Sequence, residues 1–517
     1  MSDMSTDDPM SYRSGIARER TEATMQRDAG SNGSGRERHL RFAVIGAGMA
    51  GILSAVKLLE AGFDDFTVYE KADRVGGTWR ENTYPGLACD IPSHLYSYSF
   101  ALTPEWSHRF SPGAEIQEYF ERIAREYDVQ DRARFGDEVV RCEHQEGCWQ
   151  IETAAGHRDE VDVVIAATGV LHHPRLPDIE GLDRFDGPCF HTARWDHDVV
   201  LDGARVGVIG TGSTAVQLVS AIVDRVDTLS LFQRTAQWVV QMDNPVYTGD
   251  EQEQLRERPA ELRKVHDELS EAFGGFANAV VDAESPHMKA VEEACLANLE
   301  DNVTDPELRE RLRPDYRAAC KRLIMAPDFY GAIQHPNAEL VTERIERVEP
   351  QGVRTSDGRL HELDVLVLAT GFKADAFMRP MTVIGRNGQT LADTWTPRPN
   401  AYLSISIPGF PNFFMLNGPN GPVGNFSLIE VAELQFGYVM ALVERLRSGE
   451  AREINATQDA MDEHEAARTA ATSKTVWVTG CQSWYLDDRG VPAVWPWSFD
   501  RFRAEMAEPT WEAYDAR

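Results

Sequence analysis

The sequence predicts an α/β protein with two Rossmann-like dinucleotide-binding domains and a helical insertion. Three observations predict it. An apolar strand runs straight into a glycine-rich turn at Gly46, and the same pattern returns at Gly210. Each unit closes on a second strand, which gives two β-α-β units far apart in the chain. Two further apolar strands, 161–167 and 363–369, each end in Ala-Thr-Gly. The 517 residues are enough for two or three domains.

Residues 1–38 are polar and include Gly30-Ser31-Asn32-Gly33-Ser34-Gly35, the composition of a flexible tail. Leu40-Arg41-Phe42-Ala43-Val44-Ile45 then reads as a buried strand. A helical pattern from Ile52-Leu53 to Leu58-Leu59 and the strand Phe66-Thr67-Val68-Tyr69 follow, opening a first domain over 39–180. Residues 181–199 are expected to be a linker.

The second domain is expected over 200–370. It begins with the strand Arg205-Val206-Gly207-Val208-Ile209, a helix through Val216, Leu218 and Val219, and the strand Leu229-Ser230-Leu231-Phe232. Between about 250 and 330 the chain is charged and helix-prone, with Pro259, Pro286, Pro306 and Pro314 as breaks, which predicts the helical insertion. Residues 371–517 are expected to return to the first domain, with a helix near 430–447 and a tail containing Trp477, Trp484, Trp495 and Trp497. The two Ala-Thr-Gly ends suit a chain crossing between domains, where glycine lets the backbone approach a nucleotide.

Composition narrows the function. Apolar residues make up 42 % and charged residues 26 %, a soluble globular mix. No apolar run approaches the ~20 residues of a spanning helix, so no membrane partner is expected. The net charge of −31 repels nucleic acid at long range. Only seven lysines stand beside 45 arginines, a pattern that fits either salt adaptation or a GC-rich coding bias. The seven cysteines contain no Cys-x-x-Cys, and the closest pair is Cys142 and Cys148. That predicts no zinc site, no other metal and no redox-active disulfide. Cys89, Cys189 and Cys320 are expected to be small packed side chains. The N-terminus shows no apolar signal-peptide core, and a cytoplasmic location is expected.

Gly46-Ala47-Gly48-Met49-Ala50-Gly51 is a G-x-G-x-x-G between a strand and a helix. Gly46 allows the tight turn, Gly48 admits a pyrophosphate, and Gly51 lets helix and strand pack closely. The helix N-terminus offers free N–H groups to that pyrophosphate. Glu70 ends the next strand, where a carboxylate accepts hydrogen bonds from ribose hydroxyls and repels a 2′-phosphate. FAD and NAD both fit this site.

Gly210-Thr211-Gly212-Ser213-Thr214-Ala215 is the second copy, with alanine in the third glycine's place. Its second strand ends in Phe232-Gln233-Arg234-Thr235, so a guanidinium replaces the carboxylate at the ribose end. Arg234 suits a 2′-phosphate, and the second site favours NADP(H) over NAD(H). One FAD-like site and one NADPH-like site imply a flavoprotein reduced by NADPH.

Two longer strings point to a family. Gly76-Gly77-Thr78-Trp79, then Tyr84-Pro85-Gly86 and Asp90, resembles the G-x-W-x-x-x-x-[FY]-P-G-x-x-x-D signature of Baeyer–Villiger monooxygenases. The string from Phe185 through Gly187, His191 and Trp195 to Asp196 resembles their F-x-G-x-x-x-H-x-x-x-W-[PD] fingerprint at every fixed position. The resemblance runs from about residue 40 to 500. It implies a class B flavoprotein monooxygenase, using FAD, NADPH and O2 to convert a ketone to an ester or lactone through a C4a-peroxyflavin.

The resemblance also assigns roles. Arg322, in Ala319-Cys320-Lys321-Arg322-Leu323, takes the place of the arginine that stabilises the peroxide, and Asp90 that of the aspartate holding it. Lys321 and Arg234 resemble the 2′-phosphate ligands. Trp79 and Tyr84 are expected to line or brace the flavin. His191 is expected to couple domain rotation without proton chemistry. Trp484, in Ser483-Trp484-Tyr485, resembles the tryptophan that closes over nicotinamide and substrate. Gly77, Ser213 and Thr235 complete the expected cofactor contacts.

The chain also departs from well-known members. Leu323 follows the Lys-Arg pair in place of proline, and Leu486-Asp487-Asp488-Arg489-Gly490 replaces a glycine-asparagine run. The stretch from Leu323 to Tyr330 resembles the aryl-ketone, 4-hydroxyacetophenone-type branch. The competing expectation is a flavin monooxygenase that oxygenates nitrogen or sulfur.

Overall fold

A computed structural model describes residues 37–424 and 426–517. The expected tail lies outside the described residues except for Glu37 and Arg38. Arg38 departs from the expectation, because its N–H donates to the Arg447 carbonyl at 2.8 Å and its guanidinium to Asp162 at 3.3 Å.

The first unit consists of strand β1 (Phe42–Ile45), helix α1 (Met49–Glu60) and strand β2 (Phe66–Glu70). Strands β3 (Ala133–Phe135) and β4 (Val163–Ala166) follow. After the crossover come β5 (Cys189–His191), β6 (Arg205–Ile209), helix α2 (Ser213–Ile222) and β7 (Thr228–Phe232). The insertion contains α3 (Gly249–Glu257), α4 (Pro259–Val280), α5 (Pro286–Asn302) and α6 (Pro306–Leu312). Strands β8 (Ala338–Val341), β9 (Val365–Leu368) and β10 (Phe413–Met415), and helix α7 (Leu428–Arg447), complete the frame.

These strands build two parallel sheets of five. The first runs β10-β4-β1-β2-β3, and the second runs β8-β7-β6-β9-β5. In each sheet the strand before the glycine turn is central. β1 and β4 are buried at every residue, as a parallel sheet covered on both faces requires. Helices α1 and α7 share one core with β1 and β2. A second core joins β6, β7 and β9 to α2. An antiparallel sheet of Val139–Gln145, Cys148–Thr153 and Arg158–Val161, extended by Thr382–Ile384, packs through Trp149 against Phe413 of the first sheet.

The repeated Ala-Thr-Gly has a packing cause. A Cβ on Gly46 would lie 2.6 Å from the Ala167 carbonyl oxygen, and one on Gly210 would lie 2.3 Å from that of Ala369. The close approach is therefore made by the fingerprint glycines against the alanine carbonyls. Gly169 and Gly371 stand in open space with φ of +71° and +78°. Beyond them the two crossings lie side by side. Arg175 N–H donates to the Gly371 carbonyl at 2.8 Å, and Lys373 N–H to that of His173 at 2.9 Å.

The insertion's prolines start helices. Pro259, Pro286 and Pro306 each open a helix, where a missing N–H costs no hydrogen bond. Ser285 and Asp305 cap two of these helices, and a Thr248–Glu251 capping box starts α3. Among the described residues no helix is long and apolar enough to cross a membrane. None of their His, Cys, Asp and Glu side chains cluster as a metal site.

Candidate active site

The first glycine turn leaves donors free. Gly48 begins α1 with no side-chain cap and no acidic residue in the first turn. Those N–H groups and the positive end of the helix therefore face outward for an anion. A Cβ on Gly51 would lie 1.8 Å from the Gly46 carbonyl oxygen, so only glycine fits there. Gly77, at φ +56°, faces Gly48 so closely that its Cβ would lie 2.9 Å from the Gly48 Cα. These glycines form a backbone-lined cradle that suits a pyrophosphate.

Glu70 is buried at the end of β2. Its two carboxylate oxygens accept from Ala47 N–H at 2.8 Å and Ala72 N–H at 2.9 Å, and Arg80 lies 3.2 Å away. Arg80 faces Oε1, so Oε2 keeps a further lone pair for a ribose hydroxyl. Residues 47–72 thus hold the carboxylate rigidly at the adenosine end of the turn.

The second turn repeats the design. Gly212 begins α2 without a side-chain cap, Ser213 is its first residue, and the space around Gly212 is open. Thr211 Oγ1 donates to the Thr235 carbonyl at 2.8 Å, tying the turn to the end of β7. Arg234 is exposed there. Lys321 lies over the Tyr316 ring at 4.5 Å. Burial, and then the nearby Arg234 charge, hold Lys321 below the ordinary lysine range, with Asp315 opposing. The neighbouring cations Lys321 and Arg234 fit a phosphate bearing two charges.

Arg322, the next residue, points to the other side. Its Nη2 pairs with Asp90 Oδ2, and its Nη1 donates to the Gly424 carbonyl at 3.0 Å. The side chains are 30 % and 22 % exposed, so the pair is still reachable from outside the core. Burial opposes the guanidinium charge, but Asp90 and Tyr485 beside it more than offset that and raise its pKa above the ordinary value. Arg322 is therefore a permanent cation.

Tyr485 was passed over in the sequence for its neighbour Trp484. Tyr485 is buried, while Trp484 is 39 % exposed with its ring 4.3 Å from that of Tyr485. Gly424, too, carries no motif. Its one local signal is a turn composition around Asn417-Gly418-Pro419-Asn420-Gly421.

The cysteine expectations need two corrections. Cys320 is not a lone packed thiol, because it forms a disulfide with Cys481. The two are 161 residues apart, and no local spacing announces the pair. Cys189 is exposed at a sheet edge, whereas Cys89 is packed as expected.

Tyr84 ties its segment to α2. Its hydroxyl donates to Gln217 Oε1 of α2 at 2.8 Å, and Gln217 Nε2 donates back to the Ala88 carbonyl at 3.0 Å. Burial pushes Tyr84 up to about 12, so it stays a neutral donor. Trp79 donates to the Tyr96 hydroxyl at 3.1 Å. His191 accepts from Ala193 N–H through Nδ1 at 3.1 Å, so its Nε2 carries the proton and donates to Gly371 at 3.0 Å. Burial lowers its pKa and keeps it neutral. It thereby joins the fingerprint segment to the second crossing.

The chain is similar to known flavin enzymes over nearly its whole length. Residues 39–249 match the flavin-binding monooxygenase-like family. An uncharacterized monooxygenase of Mycobacterium tuberculosis is 48 % identical over 475 residues, 92 % of this chain and 96 % of that one. A Baeyer–Villiger monooxygenase of Streptomyces coelicolor is 40 % identical over 481 residues, 90 % of this chain and 91 % of that one. The crystal structure of a Rhodococcus cyclohexanone monooxygenase bound to NADP+ superposes with a TM-score of 0.83 at 29 % identity, covering 92 % of this chain and 99 % of that one. With two uncapped glycine turns, one beside a carboxylate and one beside a cation pair, the chain belongs to the Baeyer–Villiger monooxygenases, flavoproteins that use FAD and NADPH.

Proposed function

We propose that this protein uses NADPH and O2 to convert a small ketone to an ester or lactone, with Arg322 as the catalytic cation. The observation that carries the assignment is the split of two consecutive cations. Lys321 joins Arg234 at the ribose end of the second turn, while Arg322 joins Asp90 beside the loop that follows the first. One short segment thus serves both nucleotides.

Bound at the first turn and reduced by NADPH, FAD would supply the electrons that activate O2. Gly46, Gly48, Gly51, Gly77 and Glu70 hold its pyrophosphate and ribose. Gly210, Gly212, Ser213 and Thr235 hold NADPH, and Arg234 with Lys321 takes its 2′-phosphate. Residues 39–180 and 371–517 form the FAD-binding domain, and 200–370 the NADPH-binding domain. Arg322 stabilises the negative charge on the oxygen that attacks the carbonyl, and Asp90 with the Gly424 carbonyl fixes its direction. A lysine would lack the planar fork that satisfies both partners at once. Trp79 and Tyr84 brace the flavin side. His191 couples the two crossings. Trp484, exposed here, closes over nicotinamide and substrate.

Leu323 and the Ile324-Met325-Ala326-Pro327 run after it support an aryl ketone as the preferred substrate. Turnover of the FAD-loaded protein with NADPH and a panel of cyclic, linear and aryl ketones tests the proposal. Ester or lactone from at least one ketone is expected. Oxidation of amines or sulfides alone would overturn it.

A further inference from the structure

The segment that carries Arg322 and the loop that carries Tyr485 are covalently joined. Cys320 is two residues before the arginine, and Cys481 is four before the tyrosine. Both cysteines are buried in one cluster with Leu323, Trp477 and Tyr485, against residues of α4 and α5. Tyr485 N–H donates to Ser483 Oγ at 3.1 Å, and its carbonyl accepts from Ala493 N–H at 2.7 Å, which fixes the backbone at this point.

The tyrosine hydroxyl has a defined place. A Cβ on Gly424 would lie 1.8 Å from it, so the hydroxyl rests on the Gly424 Cα, and φ at Gly424 is +95°. The carbonyl of that same glycine accepts from Arg322 at 3.0 Å. Arg322 thus sits between Asp90 on one side and the Gly424–Tyr485 contact on the other. The tyrosine hydroxyl thus packs on the very residue whose carbonyl holds the guanidinium.

We propose that Tyr485 is a positioning residue for Arg322, and that the Cys320–Cys481 bond makes the loop and the arginine segment one mechanical unit. The inference rests on Arg322 being the catalytic cation. Asp90 and the Gly424 carbonyl hold the guanidinium directly, and the Tyr485 hydroxyl, packed on Gly424, keeps that carbonyl in place and so restricts the guanidinium to one direction. Trp484, on the same loop but exposed, adds no such restraint to Arg322.

The test reads Arg322 itself. The FAD-loaded protein is treated with phenylglyoxal, and labelling of the peptide containing Arg322 is followed by mass spectrometry. Tyr485→Phe keeps the ring and removes the hydroxyl. It should label about fivefold faster than the parent, the order expected for loosening one ordinary hydrogen bond, here that of the Gly424 carbonyl to Arg322. Its product per NADPH consumed should fall, while the KM for NADPH stays at the parent value. Should Tyr485→Phe fail to fold, Cys481→Ser, which unties the loop, should show the same faster labelling. Labelling at the parent rate in the folded variant would overturn the positioning role. Full product yield in Arg322→Ala would instead overturn the catalytic role beneath it, so the two failures are separable.

Discussion

Tyr84 and Gln217 are hydrogen-bonded at 2.8 Å across the junction of the two nucleotide turns. Tyr84 belongs to the segment that leads to Asp90, and Gln217 to the helix that begins at the second fingerprint. The same segment touches that helix again at Gly86. A Cβ there would lie 2.6 Å from the Gln217 carbonyl oxygen and 2.8 Å from the Ala221 Cβ, at φ +81°.

Gly86→Ala should therefore push α2 away from the Asp90 loop. Overpacking of this kind costs about 1–3 kcal/mol. The expected outcome is a lower unfolding midpoint together with slower flavin reduction by NADPH, measured by denaturant titration and by anaerobic stopped flow. An unchanged reduction rate would mean that the contact only stabilises the fold.

Arg234 and Lys321 are assigned to the 2′-phosphate that distinguishes NADPH from NADH. Arg234→Ala should raise the KM for NADPH about 10- to 100-fold, the scale of a lost charge-assisted contact. The KM for NADH should change little. Steady-state kinetics with both cofactors check this, and equal effects on the two would remove the assignment.

The second cation adds a pH dependence. Burial and Arg234 lower the pKa of Lys321, so it loses its proton at a lower pH than an exposed lysine. The protonated form binds the phosphate, so affinity falls as pH rises through the depressed pKa. The KM for NADPH should begin to climb at a lower pH than an exposed lysine would give. The KM for NADH should stay flat. In Lys321→Arg the climb should vanish, because a guanidinium does not titrate there.

Glu70 holds the first turn and is proposed to receive a ribose. Glu70→Gln turns one of the two acceptors of the Ala47 and Ala72 N–H groups into a donor facing a donor. FAD retention after gel filtration should drop about tenfold in affinity, consistent with lost hydrogen bonds to a charged group. Parent-like retention would show that the carboxylate charge is not used.

What was legible in the sequence is what acts through its immediate neighbours. Gly46, Gly48 and Gly51 announce themselves because a strand, a turn and a helix follow one another within a few residues. Arg234 is legible as an exposed residue just beyond the end of its strand. The ion pair of Asp90 and Arg322, 232 positions apart, came only from resemblance to a family. The Cys320–Cys481 bond and the Tyr84–Gln217 contact were invisible, since both depend on how distant segments pack. Trp484 and Tyr485 show the same limit. The larger ring drew the sequence reading, yet packing buries the tyrosine beside Arg322 and leaves the tryptophan exposed.

The central claim is that Arg322 serves the oxygen-transfer step and not the reduction of FAD. It is tested most directly by Arg322→Ala, measuring moles of ester or lactone formed per mole of NADPH consumed. FAD loading and NADPH oxidation should persist, while product per NADPH falls about 100-fold, the scale of losing a group that stabilises developing charge. Product per NADPH equal to the parent's would contradict the account.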